Sequence, residues 1–241
     1  MNLTYVRYEI LRMYRNRRYF VISLAVPLLF FYLVAGNNRD VDLGGIPFPT
    51  YYLAGMMAFG TMGSMVSAGG RIATERVAGW NRLLRLTPLR TADYFQAKVL
   101  SAYVMAFTTI VALFLAGLTL GVSLPFPAVF GMVGLVLVAL IPFAALGILL
   151  GHLLTPETMG PVAGFGVAVL AFLGGAWGPI GGGGLLHHVS QAIPTYWLVQ
   201  AGRLLLGQHA WSATGWFVVA AWSVVLSVLA GRAYLRDTRR V

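Results

Sequence analysis

Five uncharged stretches, residues 19–38, 43–70, 99–156, 158–202 and 204–231, divide this chain, and fifteen of its seventeen Lys and Arg residues gather in three clusters outside the stretches or at their edges. The clusters lie at 7–18 (Arg7, Arg12, Arg15, Arg17, Arg18), 71–98 (Arg71, Arg76, Arg82, Arg85, Arg90, Lys98) and 232–240 (Arg232, Arg236, Arg239, Arg240). A charge at the centre of a bilayer costs roughly 2.5–3.5 kcal/mol on insertion scales, so charge-free windows of this length point to hydrocarbon. Short basic segments stay on the inner side of a membrane. The pattern therefore predicts both the spans and their direction.

The chain has 241 residues, 59% of them hydrophobic, and a mean hydropathy of +0.78. A span takes about 20 apolar residues, so this length holds about six spans and little else. The net charge of +10 flanks apolar windows, which fits topology and attraction to anionic lipid headgroups and not nucleic acid. The absence of cysteine excludes disulfides, thiolate metal sites and Cys nucleophiles. The first apolar window follows five arginines but is too long for a signal-peptide core, so it reads as a retained signal anchor.

The expected fold is an all-α integral membrane protein with six transmembrane helices and both termini cytoplasmic. Residues 1–18 read as an amphipathic helix on the inner surface, with Leu3, Val6, Ile10 and Met13 on one face and Arg and Glu on the other. The spans are expected at about 19–36, 50–70, 99–121, 128–151, 161–180 and 211–231. Residues 71–98 form the longest polar segment. Residues 185–209 are apolar but broken, and read as short external re-entrant helices before the last span. The outer loops hold only Arg39 and Arg203, as the positive-inside rule requires.

Several chemistries find no support. No G-x-x-x-x-G-K-[ST] loop is present, and the GGGG at 181–184 precedes no basic helix, so the chain holds no phosphate cradle of its own. His187 and His188 are adjacent and His209 is distant, a poor arrangement for a metal. His152 with Glu157 is a weak candidate for a proton site. The expected spans carry no carboxylate, which argues against an ion-driven carrier or a hydrolase with paired acids. Span two is rich in Met and small residues. Met56, Phe59 and Met62 share one helical face, and adaptable Met and aromatic surfaces suit varied apolar ligands. These three, with Phe172 and Trp177 of span five, are the candidate substrate path.

The inner segment reads RIATERVAGWNRLLRLTPLRTADYFQAK. Its Glu75-Arg76, the Gly79 three residues on, the Leu83-Leu84 pair, Pro88 and Lys98 resemble the cytoplasmic loop of ABC-2 type transporter permeases, the membrane subunits of type-2 ABC exporters. Trp80 departs from that pattern, since a small or polar residue often follows the glycine. The external AIPTYWLVQAGRLLLG at 192–207 is similar to the family's segment before the last span, with Pro194, Tyr196, Arg203 and Gly207 in matching places. The resemblance covers nearly all of the chain. It implies one permease domain over 1–241 in a bacterial plasma membrane.

The resemblance further implies that residues 71–98 are the coupling element, with Glu75, Arg76, Gly79, Trp80, Leu83, Leu84 and Pro88 engaging a separate ABC ATP-binding subunit. ATP and Mg would sit on that subunit, and no cofactor in this chain. A second permease subunit, identical or similar, completes the pathway. The expected cargo is a drug-like natural product or lipid moved outward. A glycan exporter is the alternative within the family. An ATP-independent secondary transporter or channel, and an embedded enzyme, are the alternatives outside it.

Overall fold

Two asparagines organise the start of the chain. The side-chain carbonyls of Asn2 and Asn16 accept from the backbone N–H of Tyr5 (3.1 Å) and Tyr19 (3.3 Å), capping two successive helices. These are α1 (Leu3–Arg15) and α2 (Arg17–Phe30), the latter continuing as a π-helical turn over Phe31–Ala35. The computed structural model describes residues 2–80, 86–87, 89–122, 126–178, 184–207 and 211–239. Leu83, Leu84 and Pro88 of the expected coupling element, and the GGGG at 181–184 except Gly184, lie outside the described residues.

The remaining helices are α3 (Phe48–Val77), α4 (Thr91–Thr119), α5 (Phe126–Ala139), α6 (Ile141–Leu153), α7 (Pro156–Leu173), α8 (Leu185–Gln191), α9 (Pro194–Gly202) and α10 (Ala213–Arg239). Among the described residues, five segments are long and apolar enough to cross a membrane: Arg17–Ala35, Thr91–Thr119, Pro127–Leu153, Pro156–Leu173 and Ala213–Asp237. The 30-residue α3 is not among them. It is the central helix, packed against α2, α4, α6, α7 and α9. Facing protein on most sides, it uses small and polar residues where a lipid-facing helix needs Leu and Ile.

Its crossing with α6 shows why. A Cβ on Gly69 would lie 2.0 Å from the Gly147 carbonyl oxygen, and one on Gly151 would lie 2.6 Å from the Gly69 oxygen. The backbones touch, so only glycine fits. The buried hydroxyls of Thr61 and Ser64 donate to the carbonyls of Met57 (2.6 Å) and Gly60 (2.9 Å) one turn back, and Ser64 Oγ also lies 3.4 Å from Thr109 Oγ1 on α4.

The expected fourth span is broken. The helix ends at Ala139 and restarts at Ile141 because Pro142 has no N–H to donate. Tyr103 Oη on α4 donates to the Leu137 carbonyl at this break, 2.9 Å away.

Two expectations about the polar ends are corrected. The segment 71–98 is mostly helix: α3 runs on to Val77 and α4 starts at Thr91, leaving 78–90 between them. And α1 buries Val6, Glu9 and Met13 while Leu3 is exposed, so its acid lies on the packed face. Both differences have one physical cause: the charges at these ends are buried against one another.

Candidate functional site

Three helices bring their charges together at the basic end of the bundle. Glu9 and Arg12 come from α1, Arg71 and Glu75 from the last turns of α3, and Tyr94, Lys98 and Ser101 from the first turns of α4. Glu9, Glu75 and Lys98 are only 3%, 2% and 1% exposed. Burial at that level demands complete pairing. Lys98 Nζ donates to Glu9 Oε1 (2.7 Å) and Glu75 Oε1 (2.6 Å). Glu75 Oε1 also takes Arg12, and its Oε2 accepts from Tyr94 Oη at 2.8 Å. Arg71 lies 3.2 Å from Glu9 and donates to Ser101 Oγ at 2.8 Å.

Within the chain Glu75 is held by Arg12, Lys98 and Tyr94, and Arg71 serves Glu9. The cluster is thus a lock between α1, α3 and α4. Tyr5 stands beside it, and burial, with the nearby charges of Glu9 and Glu75, pushes its hydroxyl up to about 12. It stays a neutral donor at any physiological pH. A pocket of about 280 Å³ opens here between Tyr5, Tyr8, Thr74 and Trp80.

Just past the lock the chain leaves α3. Ala78 N–H bonds to the Thr74 carbonyl (3.0 Å) and Gly79 N–H to that of Arg76 (3.2 Å). Gly79 adopts φ +70° with open space around its Cβ position, so its glycine is needed by the turn that ends the helix. Val77, Trp80 and Leu86 then stand 68%, 38% and 84% exposed. Arg76 turns the other way. Its Nη2 donates to the Leu154 carbonyl at 2.7 Å, its Nη1 to that of His152, and it lies 3.9 Å from Asp237 on α10. It caps the C-terminus of α6. His152 Nδ1 meets Asp237 Oδ2 at 3.2 Å, so Asp237, and not Glu157, is the acid beside this histidine.

The candidate path residues separate. Met56 and Met62 are wholly buried in the core, where the Thr195 hydroxyl contacts the Met62 sulfur at 3.9 Å. Phe59 instead meets Trp177 edge-on (centroids 6.0 Å apart), and Phe30 of α2 stacks on the same Trp177 at 6.0 Å. Phe172 points outward, 61% exposed. At the end away from the lock, Arg203 donates to Tyr51 Oη (2.9 Å) and the Gly175 carbonyl (3.3 Å), tying the segment after α9 to α3. Gly207 ends that turn at φ +70°.

Glu9, Arg12 and Tyr94 were not foreseen as part of the site. The available signal was scarcity: the chain has seven acids, and one falls in the middle of a helix otherwise read as interfacial.

Comparison with known proteins agrees with this architecture. A family profile described as ABC-2 type transporter matches residues 2–206. The Bacillus subtilis (strain 168) protein named "Putative transport permease YvfS" is 31% identical over 193 residues, covering 78% of each chain.

Proposed function

The chain belongs to the ABC-2 type transporter family, and on that premise we propose that it is the permease half of an ATP-driven exporter. A separate ATP-binding subunit docks on the segment that follows α3. One observation carries this reading. Val77, Trp80 and Leu86 expose apolar surface just past the charged lock, beyond the apolar spans, where a protein partner is the natural cover. Movement of such a partner would pass through the turn at Gly79 into α3. The lock ties α3 to α1 and α4, so the three helices would tilt together. Glu75 acts here by holding the lock; its burial keeps it from touching a partner directly.

In this reading α3 is the sixth span. Thirty residues of helix measure about 45 Å, enough to cross a bilayer. The basic end then faces the cytoplasm and both termini lie there. The chain contains no cysteine, so introduced ones report without background. Asp40→Cys and His188→Cys should react with an impermeant thiol reagent added to intact cells, and Ala78→Cys should not. Labelling of Ala78→Cys from outside would invert the arrangement.

The cargo is a hydrophobic or amphipathic molecule, a drug-like natural product or a lipid, moved across a bacterial plasma membrane by a pair of permease subunits. Phe59 and Trp177, partly exposed against Phe30, form its contact surface. Met56 and Met62 give that surface its backing. Phe59→Ala removes the central ring and should change which compounds are exported, by several-fold for the bulkiest, while protein levels hold. An unchanged export profile would place the path elsewhere. Lost expression would mark the rings as a packing seam.

A further inference from the structure

A pocket of about 660 Å³ opens at the basic end, between α6, α10 and Arg76, and nothing above uses it. We propose that it binds the phosphate of an anionic phospholipid, with the acyl chains lying along α6 and α10.

Charge selects the ligand's sign. Arg76, Arg232 and Arg236 line the pocket against a single carboxylate, Asp237. That carboxylate is already engaged by His152 and Arg76. Arg232 and Arg236 stand one turn apart on the same face of α10. Neither has an acceptor among the described residues, and both lie beyond the uncharged run that ends at residue 231. Guanidinium groups match phosphate oxygens through paired N–H donors. Basic pockets between helices at this depth suit lipid headgroups.

The rest of the lining selects the lipid over free phosphate. Leu149, Leu153, Leu229 and Ala233 form the apolar wall. Leu149 precedes His152 on α6 and Leu229 precedes Arg232 on α10, on the side of the apolar run, while Leu153 closes the end of α6. Leu153 and Leu229 are 61% and 41% exposed, so the wall is open to the surrounding bilayer. The pocket thus grades from apolar to cationic along the helix axes, the order of groups in a phospholipid. Free phosphate would use the cationic end alone. This assignment needs only that the chain lies in a membrane and is independent of the ATP-driven reading.

The test uses the purified full chain and three probes: phosphatidylglycerol, phosphatidylcholine and inorganic phosphate. Bound lipid is counted by native mass spectrometry after delipidation and titration. Wild-type protein should prefer phosphatidylglycerol, and millimolar inorganic phosphate should not displace it. The double variant Arg232→Gln/Arg236→Gln should weaken phosphatidylglycerol binding on the order of twentyfold, from about fivefold per arginine near a headgroup. Arg7→Gln/Arg15→Gln removes the same charge from α1 and should weaken it by less than about threefold. Equal losses in the two double variants would reduce the effect to general surface attraction and overturn the site. So would equal affinity for phosphatidylcholine. Displacement by inorganic phosphate would make the pocket a free-phosphate site and overturn the lipid assignment.

Discussion

Replacing Lys98 by Met should destabilise the protein by about 3–5 kcal/mol, the usual cost of removing one partner from a buried ionic group. Among the described residues, Lys98 alone is paired with both Glu9 and Glu75. Methionine fills a similar volume but leaves two carboxylates in an apolar junction. Arg12 and Arg71 remain, yet the Arg12 side chain is 53% exposed and offers Glu75 a partly hydrated partner. Arginine at position 98 should rescue poorly, because a planar fork does not fit where a compact ammonium sits between two oxygens. A double variant, Glu75→Gln/Lys98→Met, removes one acid along with the base. It leaves Glu9 with Arg71 and frees only the half-exposed Arg12, and should recover more than half of the loss. Thermal unfolding of the detergent-purified protein reads all three. Unchanged stability of Lys98→Met, or no recovery in the double variant, would show that the cluster does not lock α1 to α3 and α4.

That cluster also marks the limit of what the sequence discloses. The apolar windows were legible because hydrocarbon penalises charge whatever the tertiary fold, and five of the expected spans coincide with long apolar helices. The ends of α3 and α4 were not legible. Helix was legible around Glu75 and Asp93, but not that α3 and α4 run on unbroken to carry them, nor that Arg71, Glu75 and Lys98 meet charges on other helices. Long-range pairing leaves no local signature. The Glu9–Lys98 contact joins positions 89 apart, and helical periodicity along α1 cannot reveal a partner on α4. Pro142 was visible as a residue, but not as a break in its span. The α3–α6 crossing was not legible: small residues in span two are a composition, and only the fold shows Gly69 set against Gly147 and Gly151. Among the path residues, shared periodicity grouped Met56, Phe59 and Met62. The true grouping of Phe59 with Trp177 and Phe30 depends on how α2, α3 and the end of α7 meet.

The second large effect is all-or-none. If the chain supplies only the path, it does nothing to its cargo without a partner that burns ATP. No nucleotide cradle occurs in its sequence, and its exposed Val77, Trp80 and Leu86 lack a cover within the described structure. Gly79→Val should separate path from motor. A β-branched residue is strained at φ +70°, so the turn presenting Trp80 would be rebuilt while the buried lock stayed in place. That variant should keep its thermal stability within about 1–2 kcal/mol and lose the response to the motor.

The most direct measurement places the purified chain in sealed vesicles. An ATP-binding protein captured with the tagged chain from native membranes is then added to the outer face, and movement of an amphipathic dye is followed. The account predicts no movement with the chain alone, with the subunit but no nucleotide, or with an imposed proton or sodium gradient. It predicts movement when subunit, Mg and ATP are all present, and none with Gly79→Val. Dye movement by the chain alone under an ion gradient, unaffected by ATP, would contradict it.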